Sequence, residues 1–167
     1  MIYLAFGSNL KSKNGNSISL IKKAYNELEK YGLIVKRKSS FYRSKAYPNP
    51  KDPEFVNSVI ACYGNITPIQ LIGITLKIEK KFGRIRTKKN SPRTLDIDII
   101  DFKSLKLYIK NKFCYLKLPH ENLEKRLFVL APLFQISPFW KSPKTRRSIN
   151  YLINKLSRLG DNKITKV

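Results

Sequence analysis

Residues 91 to 100 read Ser-Pro-Arg-Thr-Leu-Asp-Ile-Asp-Ile-Ile, with Asp96 and Asp98 set two apart among apolar Leu95, Ile97 and Ile99. Alternation of this period marks a half-buried strand, so both carboxylates leave one face, roughly 7 Å apart along the backbone. Like charges at that spacing call for a cation. Arg84, Arg86, Lys88, Lys89 and Arg93 lead directly into the pair. Carboxylates sharing a face are good oxygen ligands for hard cations such as Mg²⁺, and guanidinium forks match phosphate oxygens. Together they suit a phosphoryl-type transfer, in which catalysis is mostly positioning and charge neutralisation. A solvated edge strand with basic neighbours has the same appearance in sequence, because structural ion-pair networks use the same residues. Strand alternation puts Asp101 on the other face, outside this group.

The surrounding elements are legible from period and punctuation. Residues 2–6 form a strand that stops at Gly7-Ser8-Asn9. Ile18, Ile21, Ala24, Tyr25 and Leu28 recur at helical spacing between a cap at Asn16 or Ser17 and a left-handed terminator at Gly32. A strand over 33–43 leads into a stiff loop, 45–54, containing three prolines. Another strand covers 55–63. Thr67, Pro68 and Gln70 open a helix with a capping box, and Gly83 ends it. After the basic loop, 84–93, and the acidic strand come a strand pair over 105–117 that turns at Asn111, a helix in 122–136 and another over 149–158. The order β-α-β-β-α-β with a C-terminal hairpin and helices predicts an α+β fold: a ferredoxin-like core, an antiparallel sheet and helices packed on it.

The length of 167 residues suits one domain, residues 1–167. The first apolar run is too short to be a secretion signal or to span a bilayer. Cys62 and Cys114 lack a CxxC partner and sit in apolar strands, which predicts buried reduced thiols and a cytoplasmic setting. With His120 the single histidine, a histidine-rich zinc site is excluded. The net charge of +23 rests on 25 lysines scattered over nearly every segment, beside 13 asparagines and 19 isoleucines. That bias is what an AT-rich coding sequence produces. Its side effect is to draw polyphosphates in faster.

The chain resembles the 6-hydroxymethyl-7,8-dihydropterin pyrophosphokinases of folate biosynthesis. The resemblance rests on YLAFGSNL at 3–10, SSFYRS at 39–44, FVNSVI at 55–60, IEKKFGRIR at 78–86, SPRTLDIDII at 91–100 and LPHENLEKRLFVLAPLFQISP at 118–138. It implies transfer of an intact pyrophosphoryl group from ATP to the pterin hydroxymethyl group, releasing AMP. Asp96 and Asp98 would hold two Mg²⁺ ions, and Arg84 and Arg93 would steady the transferring group. Glu79, Arg86, Lys89, Ile99, His120 and Arg126 would join those two arginines at the nucleotide. Phe55 and Phe128 would sandwich the pterin, Asn57 would read its polar edge, and Ser44, Lys45 and Tyr47 belong to the loop that approaches it. The resemblance further implies a monomer whose partners are pterin and ATP, with no nucleic acid and no membrane. Lys89-Asn90-Ser91 replaces a common Arg-Trp-Gly in a loop one residue shorter, Lys45 a proline, and Leu76 a glutamine, which implies weaker closure over the ligands with the chemistry intact.

Two other classes remain open on the residues alone. An RNA-binding module of the same topology fits the charge, although the Gly-aromatic-Gly signature is absent. A nucleotidyltransferase also pairs a Gly-Ser turn with DxD, but keeps the two close in sequence. No GxxxxGK[ST] is present, which excludes a P-loop kinase.

Overall fold

The computed structural model describes residues 1–85, 90–112, 115–158 and 163–167. Strand β1 (Ile2–Ser8) divides the interior. Its Ile2, Leu4 and Phe6 pack on helices α1 (Ser17–Glu29) and α2 (Pro68–Lys81), through residues such as Leu20, Leu28, Leu71 and Ile78. On the opposite face Ala5 belongs to a second core with α3 (Leu127–Ile136) and α4 (Ile149–Ser157), built around Val129, Leu130, Leu133 and Leu152. Side chains that alternate along one strand thus feed two cores.

The fold is α+β, with an antiparallel sheet and four helices among the described residues. Strand β4 (Phe55–Tyr63) pairs β1 along one edge, and β1 in turn pairs β5 (Asp96–Phe102). The expected strand over 33–43 is two strands, β2 (Ile34–Lys38) and β3 (Tyr42–Ser44), which follow one another along the free edge of β4. Ser39 manages the break: its backbone N–H donates to Val59 O and its hydroxyl accepts from Val59 N, both at 2.9 Å. The expected strand pair is the separate two-stranded ribbon β6 (Leu107–Lys110) and β7 (Tyr115–Leu118). The helix expected within 122–136 begins later, after a 3₁₀ turn at Leu123–Lys125. A last short strand, β8 (Ile164–Lys166), was not anticipated and extends the sheet beside β3.

The local helix signals act as their residue types dictate. Asn16 accepts from Ser19 N at 3.0 Å, and Thr67 and Gln70 close a reciprocal capping box, each cap being worth about 1 kcal/mol. Gly83, at φ 85°, turns the chain out of α2 in a conformation that costs other residues more, and so aims Arg84 back toward β5.

One expectation about facing is overturned. The β1–β5 register shifts between Tyr3 and Leu4, so that Leu4 opposes Ile99 whereas Tyr3 opposes Asp101. The bulge absorbs Ile100 and returns Asp101 to the face of Asp96 and Asp98. There Asp101 is buried and accepts hydrogen bonds from Trp140 Nε1 at 2.8 Å and Ser104 N at 2.8 Å. Cys62 is a buried free thiol, pushed up to about 12 by burial and therefore inert; Cys114 lies outside the described residues.

Candidate active site

Register places the acidic pair on one face. Asp96 stands opposite Gly7 and Asp98 opposite Ala5, while Gly7 and Ala5 stand opposite Asn57 and Val59 on β4. Gly7 is the floor between them. A Cβ there would lie 3.6 Å from Asn57 Oδ1, 3.6 Å from the Phe55 ring and 3.8 Å from Asp96 Cβ. Its absence leaves an open cradle bounded by an amide, an aromatic ring and a carboxylate.

Three guanidinium groups close on the carboxylates. Arg84 bridges Glu79 and Asp96. Glu79, only 3% exposed, also accepts from Ile97 N at 2.8 Å, so α2 grips the outer edge of β5 and sets where Arg84 can reach. Arg93 Nε lies 3.2 Å from Asp96 Oδ2 as an ion pair, yet it is buried without an aligned hydrogen bond. Arg126 Nη1 donates to Asp98 Oδ2 at 3.1 Å. His120 Nδ1 accepts from Asn122 N at 3.2 Å, so the ring proton sits on Nε2, 3.8 Å from Asp98 Oδ2. Burial holds the His120 pKa below its usual value and keeps the ring neutral. The Asp98 side chain keeps a third of its surface exposed, but desolvation in the cleft, aided by the Asp96 charge, raises its pKa.

The other expected residues fall into separable groups. Phe55 lies under Arg93, ring centroid to guanidinium 5.2 Å, and Phe128 under Arg126 at 5.7 Å, so each aromatic is paired with a cation of the acidic site. Asn57 is buried and its amide donates to Ser44 Oγ at 2.9 Å and Tyr42 O at 3.3 Å. That pairing fixes the amide and turns Oδ1 toward the cradle. Lys45 is exposed and Tyr47 is 80% exposed, at the start of the proline loop. The Ile99 side chain lies in the core on the opposite face, so only its backbone can meet a ligand. Arg86 and Lys89, with Lys88, lie outside the described residues.

Sequence reasoning missed Asn9. Its side chain is buried, donates through Nδ2 to Pro53 O at 3.0 Å and accepts through Oδ1 from Arg93 N at 2.7 Å. Its backbone N–H also donates to Arg93 O at 3.0 Å. One asparagine therefore ties the proline loop to the arm carrying Arg93. The only local signal was a polar residue directly after an apolar strand, and nothing in sequence names partners 44 and 84 residues away.

The donor set can be tested for metal. Among the described residues no three His, Cys, Asp or Glu side chains cluster to hold an ion. Mg²⁺ typically takes one or two carboxylates and completes its shell with water and substrate phosphates. Asp96 and Asp98 fit that use, with the metal arriving on a polyphosphate. The buried, unaligned Arg93 Nε is a donor that such an anion could use.

Several proteins similar to this chain carry the same name. The sequence pattern of the 7,8-dihydro-6-hydroxymethylpterin-pyrophosphokinase family matches residues 3–138. A Synechocystis sp. protein named 2-amino-4-hydroxy-6-hydroxymethyldihydropteridine pyrophosphokinase is 38% identical over 75% of this chain, a match spanning 62% of that protein. One of the same name from Aquifex aeolicus is 37% identical over 82% of this chain and 80% of its own length. A crystal structure of Plasmodium falciparum HPPK-DHPS with pteroate superposes at TM-score 0.76 and 16% identity, covering 97% of this chain and 47% of that one, which speaks to the fold alone. The matched span holds β1 through α3, and with them both aspartates, the three arginines that face them and the Gly7 cradle. The chain therefore belongs to the 7,8-dihydro-6-hydroxymethylpterin-pyrophosphokinase family.

Proposed function

We propose that the chain, acting as a single domain, transfers the pyrophosphoryl group of ATP to the hydroxymethyl group of 6-hydroxymethyl-7,8-dihydropterin in folate biosynthesis. The observation that carries this reading is the pair Asp96 and Asp98 on one face, ringed by Arg84, Arg93 and Arg126. The pterin oxygen attacks the β-phosphorus, the bond from that phosphorus to the α,β-bridging oxygen breaks, and AMP leaves with that oxygen. Two Mg²⁺ ions held by Asp96 and Asp98 would neutralise the triphosphate and lower the pKa of the attacking hydroxyl. Arg84 and Arg93 give up Asp96 to the incoming cation and turn their N–H groups to the transferring phosphates. Arg126 and His120 do the same from the Asp98 side, toward the rest of the nucleotide, with Glu79 holding Arg84 in place and the Ile99 backbone alongside. Arg86 and Lys89 belong to the same phosphate-binding set by their position in sequence.

The pterin is assigned to the Gly7 cradle. Phe55 and Phe128 supply faces, Asn57 the polar edge, and Ser44, Lys45 and Tyr47 the approaching loop. The hydroxyl proton passes to water. Asp96 and Asp98 are committed to the cation, and His120 Nδ1 already accepts from Asn122. We read β1-α1-β2-β4-α2-β5 as a ferredoxin-like core, in which β5 presents the acidic pair from the edge of the sheet, opposite Gly7 and Ala5 of β1. The two-stranded ribbon and the C-terminal helices are additions to that core. A monomer in a reducing, cytoplasmic setting, with no nucleic-acid or membrane partner, completes the proposal. No helix among the described residues is long and apolar enough to cross a membrane.

The test is direct. The purified chain is mixed with ATP, Mg²⁺ and hydroxymethyldihydropterin, and the nucleotide product is identified. AMP that forms only with pterin, and falls at least about 100-fold in Asp96→Asn, is expected, on the scale seen when a charge-stabilising group is removed. ADP as product, or indifference to the substitution, overturns the reading.

A further inference from the structure

A cavity of about 710 Å³ opens beyond the far end of β5, past Asp101. It does not include the residues of the acidic site. Its volume is in the range of small-molecule sites, roughly 300–1,000 Å³. Two chemistries line it. Tyr3, Phe139 and Trp140 offer ring surfaces, while Lys103, Lys141 and Arg146 offer cations. The carboxylate on the wall is already satisfied, because both oxygens of Asp101 accept hydrogen bonds, from Trp140 Nε1 and Ser104 N. Neutral donors thus take up Asp101, while the Lys103 ammonium lies over the Phe102 ring, 5.6 Å from its centroid, and Lys141 and Arg146 complete the basic part of the lining.

Two independent features set this wall apart from ordinary surface. Phe139 is 94% exposed at the mouth, directly beside Trp140, which is 7% exposed. Four non-glycine residues among those described hold left-handed backbone, and three of them, Lys103 at φ 52°, Ser104 at φ 58° and Arg146 at φ 64°, line this cavity. Lys103 and Ser104 are the central pair of a tight turn closed by Leu105 N donating to Phe102 O at 2.9 Å, which accounts for their backbone, whereas Arg146 holds the conformation singly. Arg146 N donates to Ser142 O at 2.8 Å and Ser142 N donates to Arg147 O at 2.9 Å, so the segment bearing the arginine is closed on itself. The Ser142 hydroxyl donates to Glu124, which fastens that segment to the 3₁₀ turn.

We propose that this cavity is a second binding site, separate from the acidic site, for a planar aromatic anion, a ring bearing a carboxylate or a phosphate. The ring stacks among Tyr3, Phe139 and Trp140, and the anionic group is held by Lys103, Lys141 and Arg146.

The chain carries its own reporter, because Trp140 is its one tryptophan and lines the cavity. Phenyl phosphate and benzoate are titrated against Trp140 fluorescence, with benzyl alcohol and inorganic phosphate as controls. A saturable change with either aromatic anion is expected, and which one binds more tightly identifies the head group. The Lys103→Glu/Arg146→Glu variant should bind about tenfold or more weakly, the loss expected for charge-assisted contacts. AMP formation from ATP and pterin should be unchanged in that variant, which keeps this test apart from that of the acidic site. Should the variant unfold, Lys141→Gln with Phe139→Ala takes its place, and the same weakening is required of it. The proposal is overturned by no saturable response to either anion, by an equal response to benzyl alcohol, or by affinity that survives the substitutions.

Discussion

Asp98 is a carboxyl held charged in an unfavourable place. Desolvation raises its pKa, the neighbouring Asp96 charge adds to the rise, and His120 and Arg126 pull the other way. A carboxyl whose folded pKa stands above its unfolded value contributes stability below the unfolded value and loses it as pH rises through the folded one. Asp98→Asn is therefore expected to raise Tm at neutral pH, read by calorimetry, while abolishing AMP formation. That combination is the ordinary trade between a strained site and stability. In the pH profile of kcat/KM, the acid limb should stand above the ordinary aspartate value of about 3.9, because in the proposed mechanism Asp98 must be ionised to hold a cation. Arg126→Ala should move that limb further up, since it removes a charge that pulls the pKa down. A limb that stays put in the variant counts against Asp98 as the titrating group.

At the scale of elements, two long-range ties do the positioning. Asn9 joins the proline loop to the Arg93 arm through one donated and one accepted bond. With about 1 kcal/mol for each of the two bonds, Asn9→Ala is expected to raise the KM for pterin about 30-fold. Far-ultraviolet circular dichroism should remain unchanged, and a wild-type KM in steady-state assays would count against the tie. The second tie follows from the bulge that brings Asp101 under Trp140. Trp140→Phe leaves a buried carboxylate oxygen short of a donor, at a cost of about 1–3 kcal/mol. For a chain of this size the expected fall in Tm is roughly 2–10 °C by thermal denaturation. No such fall is expected if Asp101 instead faced solvent.

At the scale of the molecule, the charge of +23 acts on encounter rather than on chemistry. Thirty-four basic side chains against eleven acidic ones create a field that would gather the proposed substrate ATP before any contact forms. Raising ionic strength from about 0.05 to 0.5 M shortens the screening length to a few ångströms. The expected result is a fall in kcat/KM for ATP with kcat at saturation nearly unchanged. A salt-insensitive kcat/KM would mean that the lysines contribute nothing to capture.

Much of this architecture was legible along the chain because its causes are local. Helix caps at Asn16 and Thr67, the stop at Gly83 and the alternation of Asp96 with Ile97 each depend on residues within a turn or a strand rise of one another. The sequence by itself therefore determined most of the elements, the acidic pair and the arginines that lead into it, but not the break at Ser39 or the strand β8. The tertiary structure alone decided which partners those residues meet. One residue of register at the bulge reversed the face of Asp101, because side chains on a strand change sides with every step. Asn9 found Pro53 and Arg93, and Arg126 found Asp98, across separations that no local pattern encodes. Those contacts exist only once two cores have closed on opposite faces of the same sheet.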